Sequence, residues 1–324
     1  MRQYFAARSQ WGLFMKNSQK ENKVTLKSLK NIPYFLMQLP GLAWLILFHF
    51  VPIFGIVIAF KDYKYAKGIL GSAWCGLDNF KTFFSTNYAY RIFRNTIGYN
   101  LGWMLLVNLL LGMLVALMLY EVRNKTLNKI YQTSMLLPYF VSYVVIAYIG
   151  FLLFSHDNGL LNQIIKSLGG KEVYWYYEAK VWPFILTFFD AWKNIGMASL
   201  YYYAALLSID PCLFEAASLD GAGRLKQIWY ISVPELMPMA SIVLISKVGS
   251  ILGGTMDIFY QLPMDSSKVY SSTETIATYL YRGLTSGTVG TSAAVGLFQS
   301  VIGVILLLIT NKIIRNLSPE NAMF

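Results

Sequence analysis

Long apolar stretches alternate with short polar segments along the whole chain. Apolar runs of about 18 or more residues with few charges are typical of helices that cross a lipid bilayer. The pattern predicts six such helices. They cover about residues 35–60, 95–120, 133–154, 181–208, 234–259 and 292–314. The expected fold is therefore an all-α polytopic membrane protein with six transmembrane helices.

A polar stretch, EAASLDGAGRLKQIWYISVP, separates the fourth and fifth apolar segments. Asp210 is a good helix N-cap and Pro211 suits the first helical position, so we predict a short helix over about 211–219. Gly221 would then let the backbone turn, and Pro234 is predicted to open the next apolar helix. The result would be a stiff helix outside the bilayer, fixed to a membrane helix at each end. On these grounds alone, an ordinary amphipathic connecting helix is equally consistent.

The composition agrees with a membrane protein, because 56% of the 324 residues are hydrophobic and only 13% are charged. That charged share is about half the usual value for a soluble domain. The net charge of +11 would suggest nucleic acid in a soluble protein. Here we expect no nucleic acid, because basic residues flank membrane helices as topology signals and contact anionic lipid headgroups.

The basic residues also predict the orientation in the membrane. The first 34 residues hold seven of the 27 Lys and Arg and a single acid, Glu21. Positive charge is typical of cytoplasmic segments, so segment 1–34 is expected in the cytoplasm. Six crossings return the tail, 315–324, to the same side. We therefore predict a multi-pass protein of the cytoplasmic (inner) membrane with both termini in the cytoplasm.

Candidate catalytic and metal-binding motifs are absent from the sequence. A phosphate-binding loop needs Gly, four residues, then Gly-Lys-Ser or Gly-Lys-Thr, and the nearest stretch, GGKE at 169–172, has glutamate after the lysine. Cys75 and Cys212 are predicted on opposite sides of the membrane, so they form no disulfide framework. We expect a non-catalytic chain with no cofactor or metal of its own.

Polar side chains inside the predicted spans are the candidates for a translocation path. On the fourth span, a charged and polar set recurs at i, i+3, i+4 and i+7, which is one face of a helix. A charge at membrane depth usually faces the bundle interior or a water-filled cavity. An intramembrane ion pair, or side chains that snorkel to the interface, would explain the same pattern. The candidates are Asn100, Asn108, Asp190, Lys193, Asn194, Met197 and Lys247.

The polar stretch after the fourth span resembles the EAA loop of permease subunits of binding-protein-dependent ABC importers. That pattern is Glu-Ala-Ala, three residues, Gly, nine residues, Ile, one residue, Leu-Pro. The chain matches it at Glu215, Ala216, Ala217, Gly221, Ile231 and Pro234, with Val233 in place of Leu. Residues 39–84, 135–138 and 311–324 are similar to one carbohydrate subgroup of the family. That subgroup imports complex oligosaccharides and polysaccharides, including alginate- and pectin-type uronate polymers.

The resemblance implies a type I (MetI-like) permease fold, with a permease domain over 35–314 and a cytoplasmic coupling helix in a loop at about 209–233. It also implies a homologous second permease, an ABC ATPase dimer that binds ATP and Mg, and an extracytoplasmic (periplasmic) solute-binding protein. The coupling set would be Glu215, Ala216, Ala217, Asp220 and Gly221. In the family, Glu makes the charged contact with the ATPase, the two Ala permit close approach and Gly provides the turn.

The cargo stays open among several possibilities. An oligosaccharide or polysaccharide, including a uronate polymer such as alginate, is favoured by the resemblance. Lys193 and Lys247 would attract uronate carboxylates electrostatically. A permease for neutral sugar, peptide or amino acid would share the fold. An ATPase-independent scaffold or channel would lack a reason for the EAA spacing.

Overall fold

The computed structural model describes residues 32–249, 252 and 256–317. Most of the predicted cytoplasmic segment 1–34 lies outside the described residues. The same holds for most of the tail, 315–324. The α-helices in chain order are α1 Ile32–Leu45, α2 Val51–Ile53, α3 Gly68–Gly71, α4 Asp78–Phe84, α5 Asn87–Ile97, α6 Met104–Glu121, α7 Lys125–Phe140, α8 Tyr143–Phe154, α9 Leu160–Ser167, α10 Trp182–Leu207, α11 Pro211–Leu219, α12 Arg224–Gln227, α13 Val233–Gly249, α14 Met256–Gln261, α15 Tyr270–Thr273, α16 Ile276–Ser286 and α17 Val289–Leu317.

Wider and tighter helical turns join several of these helices. The π-helical segments are Ile46–Phe50, Gly98–Trp103 and Ile228–Ser232, and the 3-10 segments are Phe54–Phe60, Trp175–Tyr177, Ala179–Val181 and Ser267–Val269. A two-stranded antiparallel hairpin follows the first span. It pairs β1, Lys61–Asp62, with β2, Ala73–Trp74.

Among the described residues, four continuous helices are long and apolar enough to cross a membrane. They are Pro33–Phe60, Asn87–Glu121, Arg224–Val248 and Val289–Asn316. Two further spans contain or precede a bend. The third span is broken into α7 and α8, which meet at 94°. The fourth span ends at Leu207 and is followed by α11 at an angle of 70°. Counting each bent pair as one span gives six. The predicted all-α, six-span architecture is therefore confirmed.

The chain divides into two units after Gly55. The described part of the first unit is helical, with Pro40 inside α1 and Pro52 inside α2, which follows a π-helical segment. Most of its side chains are exposed, including Met37 and Phe54. Proline is tolerated in membrane helices where the local turn adjusts to the missing N–H. All features below belong to the second unit, which begins at Ile56.

The third span differs from the prediction. A single helix was expected over 133–154, preceded by a basic loop at 121–132. Instead α7 begins at Lys125, because the Asn124 side chain accepts hydrogen bonds from the backbone N–H groups of Thr126 at 2.9 Å and Leu127 at 3.2 Å. The helix ends at Phe140, and Ser142 caps α8 after a sharp corner. Hydropathy shows only which segments of the sequence are apolar, so it could not predict this corner.

The predicted start of the fifth span at Pro234 is also wrong. The helix begins at Arg224, and Pro234 lies inside it, shortly after the π-helical segment Ile228–Ser232. Proline lacks the N–H that an α-turn requires, and a wider turn beside it accommodates that loss. The predicted end at Phe259 falls in a separate helix, α14. The second and sixth spans extend beyond their predicted bounds because their first turns are polar.

Ion pairs tie the segment after the fifth span to the start of the second span. Glu274 pairs with Arg91 at 2.6 Å and with Arg282 at 3.2 Å, and Arg282 also pairs with Asp265 at 2.8 Å. The Asn95 side chain donates to the carbonyl of Glu274 at 3.0 Å. The polar segment between the fifth and sixth spans is thereby held against α5.

Three apolar clusters form the interior of the second unit in the described part of the chain. The first packs α10 against α14 around Trp182 and Phe259. The second joins α4, α5, α16 and α17 around Phe83 and Ile92. The third joins α6, α10 and α13 around Tyr202, and the base of α11 rests on it.

Candidate functional site

The short helix α11 begins and ends where the sequence predicts, at Pro211 and Leu219. The Asp210 carboxylate accepts a hydrogen bond from the Cys212 backbone N–H at 2.9 Å, which satisfies one of the free donors of the first turn. This hydrogen bond lowers the pKa of the Asp210 carboxyl below its ordinary value. The cap is therefore charged at neutral pH and favours the helix start.

Gly221 ends α11 in a left-handed conformation, with φ at +74°. The Ala222 N–H donates to the Ala217 carbonyl at 2.9 Å, and the Gly221 N–H donates to the Ser218 carbonyl at 3.1 Å. These two hydrogen bonds are the pair that defines a Schellman motif. An L side chain at position 221 would be strained, so the glycine of the pattern is explained by backbone conformation.

The outer surface of α11 is available to a partner, because none of its residues is buried. Glu215, Ala216 and Asp220 are exposed, and Ala217 is half-buried. Leu219 has 90% of its surface exposed. An open groove of about 710 Å³ runs beside the helix. Its lining residues are Phe214, Glu215, Ser218, Leu219, Ala222, Gly223, Arg224 and Gln227.

Side-chain contacts hold α11 in place on the membrane helices. The Gln227 amide donates to Ser218 Oγ at 2.9 Å and to the Ala222 carbonyl at 3.1 Å. Arg224 pairs with Glu121 at the end of the second span, at 3.2 Å. Helix α10 is unbroken from Trp182 to Leu207, and α11 follows it after a short link at an angle of 70°, so α11 is attached to the end of the fourth span.

A hydrogen-bonded cluster, the Asp190 cluster, consists of Asn108, Asp190 and Asn194. Asn108 Nδ2 donates to Asp190 Oδ2 at 2.6 Å, and Asn194 Nδ2 donates to Asp190 Oδ1 at 2.9 Å. Asp190 is 5% exposed. Asn108 Oδ1 is buried and has no hydrogen-bond partner in the described part of the chain. Three of the predicted path residues, from the second and fourth spans, are thus brought together.

Lys193 is placed differently from the prediction that it shares the polar face of the fourth span. It is 8% exposed, and its ammonium donates to the backbone carbonyls of Tyr139 at 2.8 Å and Val141 at 2.5 Å. It also lies 4.8 Å from the ring centre of Tyr143. The side chain therefore points to the corner of the third span. The sequence could not show this, because it carried no signal for the corner.

The remaining path candidates lie on three spans. Lys247, on α13, is exposed. Asn100 is half-buried in the π-helical segment of the second span, and Met197 is half-buried on α10. Their role in a path stays a prediction.

Sequence reasoning missed one residue, Gly196. A Cβ atom there would overlap the Met135 carbonyl group, so α10 and α7 are in direct backbone contact at this point. The sequence shows that Gly196 lies three residues after Lys193, but it does not show which helix packs against this glycine.

Among the described residues, no group of three His, Cys, Asp or Glu side chains could hold a metal ion.

The family model described as "Binding-protein-dependent transport system inner membrane component" matches residues 108–319. The chain belongs to this family. The permease is 34% identical over 306 residues to the polygalacturonan/rhamnogalacturonan transport system permease protein YteP of Bacillus subtilis, covering 93% of this chain and 94% of that protein. It is also 34% identical to Protein LplB of Bacillus subtilis, covering 88% and 89% of the two chains.

The fold of the permease matches solved structures of a transporter. A bacterial ABC transporter involved in the import of the acidic polysaccharide alginate superposes with a TM-score of 0.81 and 30% identity, over 89% of this chain and 97% of that chain. The alginate transporter in complex with an alginate pentasaccharide-bound periplasmic protein gives a TM-score of 0.80, also at 30% identity, over 89% and 96% of the two chains. These matches confirm the ABC importer permease fold.

Proposed function

We propose that this permease is the transmembrane subunit of an ATP-driven importer that takes oligosaccharide or polysaccharide across the cytoplasmic membrane by alternating access. The cargo class includes a uronate polymer such as alginate. The observation that carries the proposal is the exposed, doubly capped helix α11 on a fold that superposes on an alginate transporter. The similarity to a permease for pectic polymers points to the same class of acidic carbohydrate.

In this proposal α11 is the coupling helix that docks on an ABC ATPase. Glu215 makes a charged contact with the ATPase, and Ala216 and Ala217 let the two surfaces approach closely. Asp220 and Gly221 end the helix at the docking surface. The ATPase dimer binds ATP and Mg, since this chain has no phosphate-binding loop. The full importer also contains a second, homologous permease and a solute-binding protein outside the membrane.

The proposed orientation places both termini and α11 in the cytoplasm. It is supported by the basic residues of segment 1–34 and by the even number of spans. ATP-driven movement of α11 would be transmitted by α10, a helix of 26 residues and about 39 Å in length. Asp190 and Asn194 lie on that helix, so movement at the ATPase would reach the Asp190 cluster through α10.

The path for the sugar is proposed to include the Asp190 cluster, Asn100, Met197 and Lys247. The Asn108 Oδ1, which has no hydrogen-bond partner among the described residues, is an acceptor suited to a sugar hydroxyl. Lys247 is the better candidate than Lys193 to attract a uronate carboxylate, because Lys247 is exposed whereas the Lys193 ammonium is buried on two carbonyls. Both oxygens of the Asp190 carboxylate accept amide hydrogen bonds. Asp190 would therefore repel a uronate carboxylate less than a carboxylate without such hydrogen bonds would.

The proposal is tested by reconstituting the permease with its second permease, ATPase and binding protein in lipid vesicles. Uptake of uronate oligosaccharide, neutral oligosaccharide and peptide is compared with and without ATP. We expect ATP-dependent uptake of uronate oligosaccharide that Glu215→Ala abolishes. Glu178→Ala, an exposed glutamate of the predicted outer loop, is the matched control and should leave uptake unchanged.

Two results would contradict the proposal. Uptake without ATP would indicate a channel. ATP-dependent uptake of peptide or amino acid, with no uptake of any sugar, would place the permease in another solute class.

A further inference from the structure

The corner of the third span exposes backbone groups that a continuous helix would satisfy. The last turn of any α-helix has carbonyl groups without intrahelical partners. The side chains of Tyr139 and Phe140, the last two residues of α7, are exposed, and the backbone of this turn lies beside α10. After Phe140 the chain turns by 94° into α8. The carbonyls of Tyr139 and Val141 stand on the two sides of the last residue of α7, and both accept from Lys193.

The Lys193 side chain has the partners that a buried cation requires. An ammonium group removed from water is costly unless several acceptors surround it. Here the acceptors are two carbonyls at the negative end of a helix dipole, where a cation is favoured. The Tyr143 ring, at 4.8 Å, adds a cation–π contact from the first turn of α8. The one ammonium thus contacts α7, the corner and α8.

The next turn of α10 holds the same helix by a second means. Gly196 lies three residues after Lys193 and therefore on the same side of α10. A side chain there would overlap the Met135 carbonyl, so α7 and α10 touch through their backbones. Lys193 and Gly196 together attach the last turns of α7 to the fourth span.

We infer that Lys193 is a positioning residue that holds the corner of the bent third span on α10, so that α7 and α8 keep a fixed angle and move with the helix that carries α11. This role differs from the binding of a substrate carboxylate, because two of the three N–H donors of the ammonium already bind backbone carbonyls. The role concerns the permease itself, and the spectroscopic test below does not depend on the identity of the cargo.

The angle at the corner is measured by pulsed electron paramagnetic resonance on the assembled transporter. Spin labels are attached at Ile130 on α7 and Leu152 on α8, both exposed, with Cys75→Ser and Cys212→Ser as background. Lys193→Met removes the charge and keeps the length of the side chain. Lys193→Arg keeps a cationic donor. Lys129→Met, an exposed lysine of α7, is the matched control.

We expect one narrow label-to-label distance distribution in the unmodified permease, in Lys193→Arg and in Lys129→Met. In Lys193→Met the distribution should broaden or shift. If Lys193→Met fails to assemble, Lys193→Gln, whose neutral amide keeps two N–H donors on a shorter side chain, serves instead and should broaden the distribution less. A distribution in the assembled Met or Gln variant that superposes on the unmodified one would overturn the inference.

A kinetic readout separates positioning from substrate binding. In Lys193→Met we expect the amount of solute imported per ATP hydrolysed to fall at least about five-fold, the lower end of ordinary coupling between sites. The KM for the loaded binding protein should stay unchanged. A raised KM for the loaded binding protein, with an unchanged amount of solute imported per ATP, would instead indicate that Lys193 binds the substrate. That result would overturn the inference.

Discussion

The amide of Asn108 on the second span donates to Asp190 Oδ2 on the fourth span at 2.6 Å. Asn194, one turn further along α10, donates to the other carboxylate oxygen. The carboxylate of Asp190 is therefore the shared acceptor of two helices. This arrangement connects the polar interior of the permease to α10, the helix that precedes α11 in the chain.

Asp190→Ala should destabilise the permease by about 1–3 kcal/mol, because the amides of Asn108 and Asn194 lose their acceptor. Asp190→Asn keeps an acceptor oxygen and should cost less. The thermal unfolding midpoint of the purified transporter measures both changes. Asp157→Ala, on an exposed loop position, is the control and should leave the midpoint unchanged. Equal midpoints for Asp190→Ala and the control would show that the cluster adds no stability.

Gly221→Ala should weaken the end of α11, because a left-handed conformation costs an L residue about 1–2 kcal/mol. The expected result is less ATPase recovered with the purified permease and a lower ATPase rate per complex. Gly223→Ala is the matched control, since Gly223 has a φ of −68° that alanine adopts without strain. The prediction fails if the two alanine variants recover the same amount of ATPase.

Glu274→Gln should loosen the segment after the fifth span. The Glu274 side chain is only 10% exposed and neutralises Arg91 and Arg282. Because the Arg91 side chain is 28% exposed, the free energy of unfolding should fall by about 1–3 kcal/mol, which is less than the loss for a fully buried ion pair. Asp78→Asn breaks the exposed pair with Lys81 and should cost almost nothing. Limited proteolysis between residues 265 and 286 measures the difference; equal cleavage in both variants would contradict it.

The contact between Lys166 and Glu172 should make the loop after α8 sensitive to acid. The hydrogen bond from Lys166 lowers the pKa of the Glu172 carboxyl below its ordinary value of 4.5. A lowered folded-state pKa means that the stabilisation is complete above pH 4.5 and is lost as the pH falls through the lower, folded value.

Comparison with Glu172→Gln over a range of pH tests this acid sensitivity. Both proteins carry His156→Gln, because the His156 imidazole lies 3.6 Å from the Glu172 carboxylate and is a second titratable partner. The stability difference between the two proteins, measured by thermal unfolding, should then be constant from pH 8 to about pH 5 and shrink below it. Asp62→Asn, which breaks an exposed pair with Lys64, is the control for acid effects elsewhere. A difference that grows on acidification would contradict the assignment.

The local geometry of α11 could be predicted because its signals lie in adjacent residues. Asp210 and Pro211 specify the helix start, and Gly221 specifies the end, whatever surrounds them. The six spans were likewise visible, since burial in lipid requires long apolar runs. These features depend on local sequence and on composition.

The corner of the third span and the direction of Lys193 could not be predicted, because both depend on contacts between helices. Lys193 shares the i, i+3 spacing with Asp190, yet the carbonyls of Tyr139 and Val141 draw it away from the Asp190 cluster. The start of the fifth helix was missed for a related reason. Pro234 is an ordinary start signal, and only the π-helical turn before it allows the helix to begin at Arg224.

The docking of α11 on an ATPase is tested most directly by site-specific photocross-linking in the assembled transporter. A photoreactive residue is placed at Leu219, which is 90% exposed on α11, and separately at Leu168, which is 81% exposed on the loop predicted outside the membrane. We expect a cross-link to the ATPase from position 219 and none from position 168. A cross-link to the ATPase from position 168, or its absence from 219, would contradict both the orientation and the coupling role of α11.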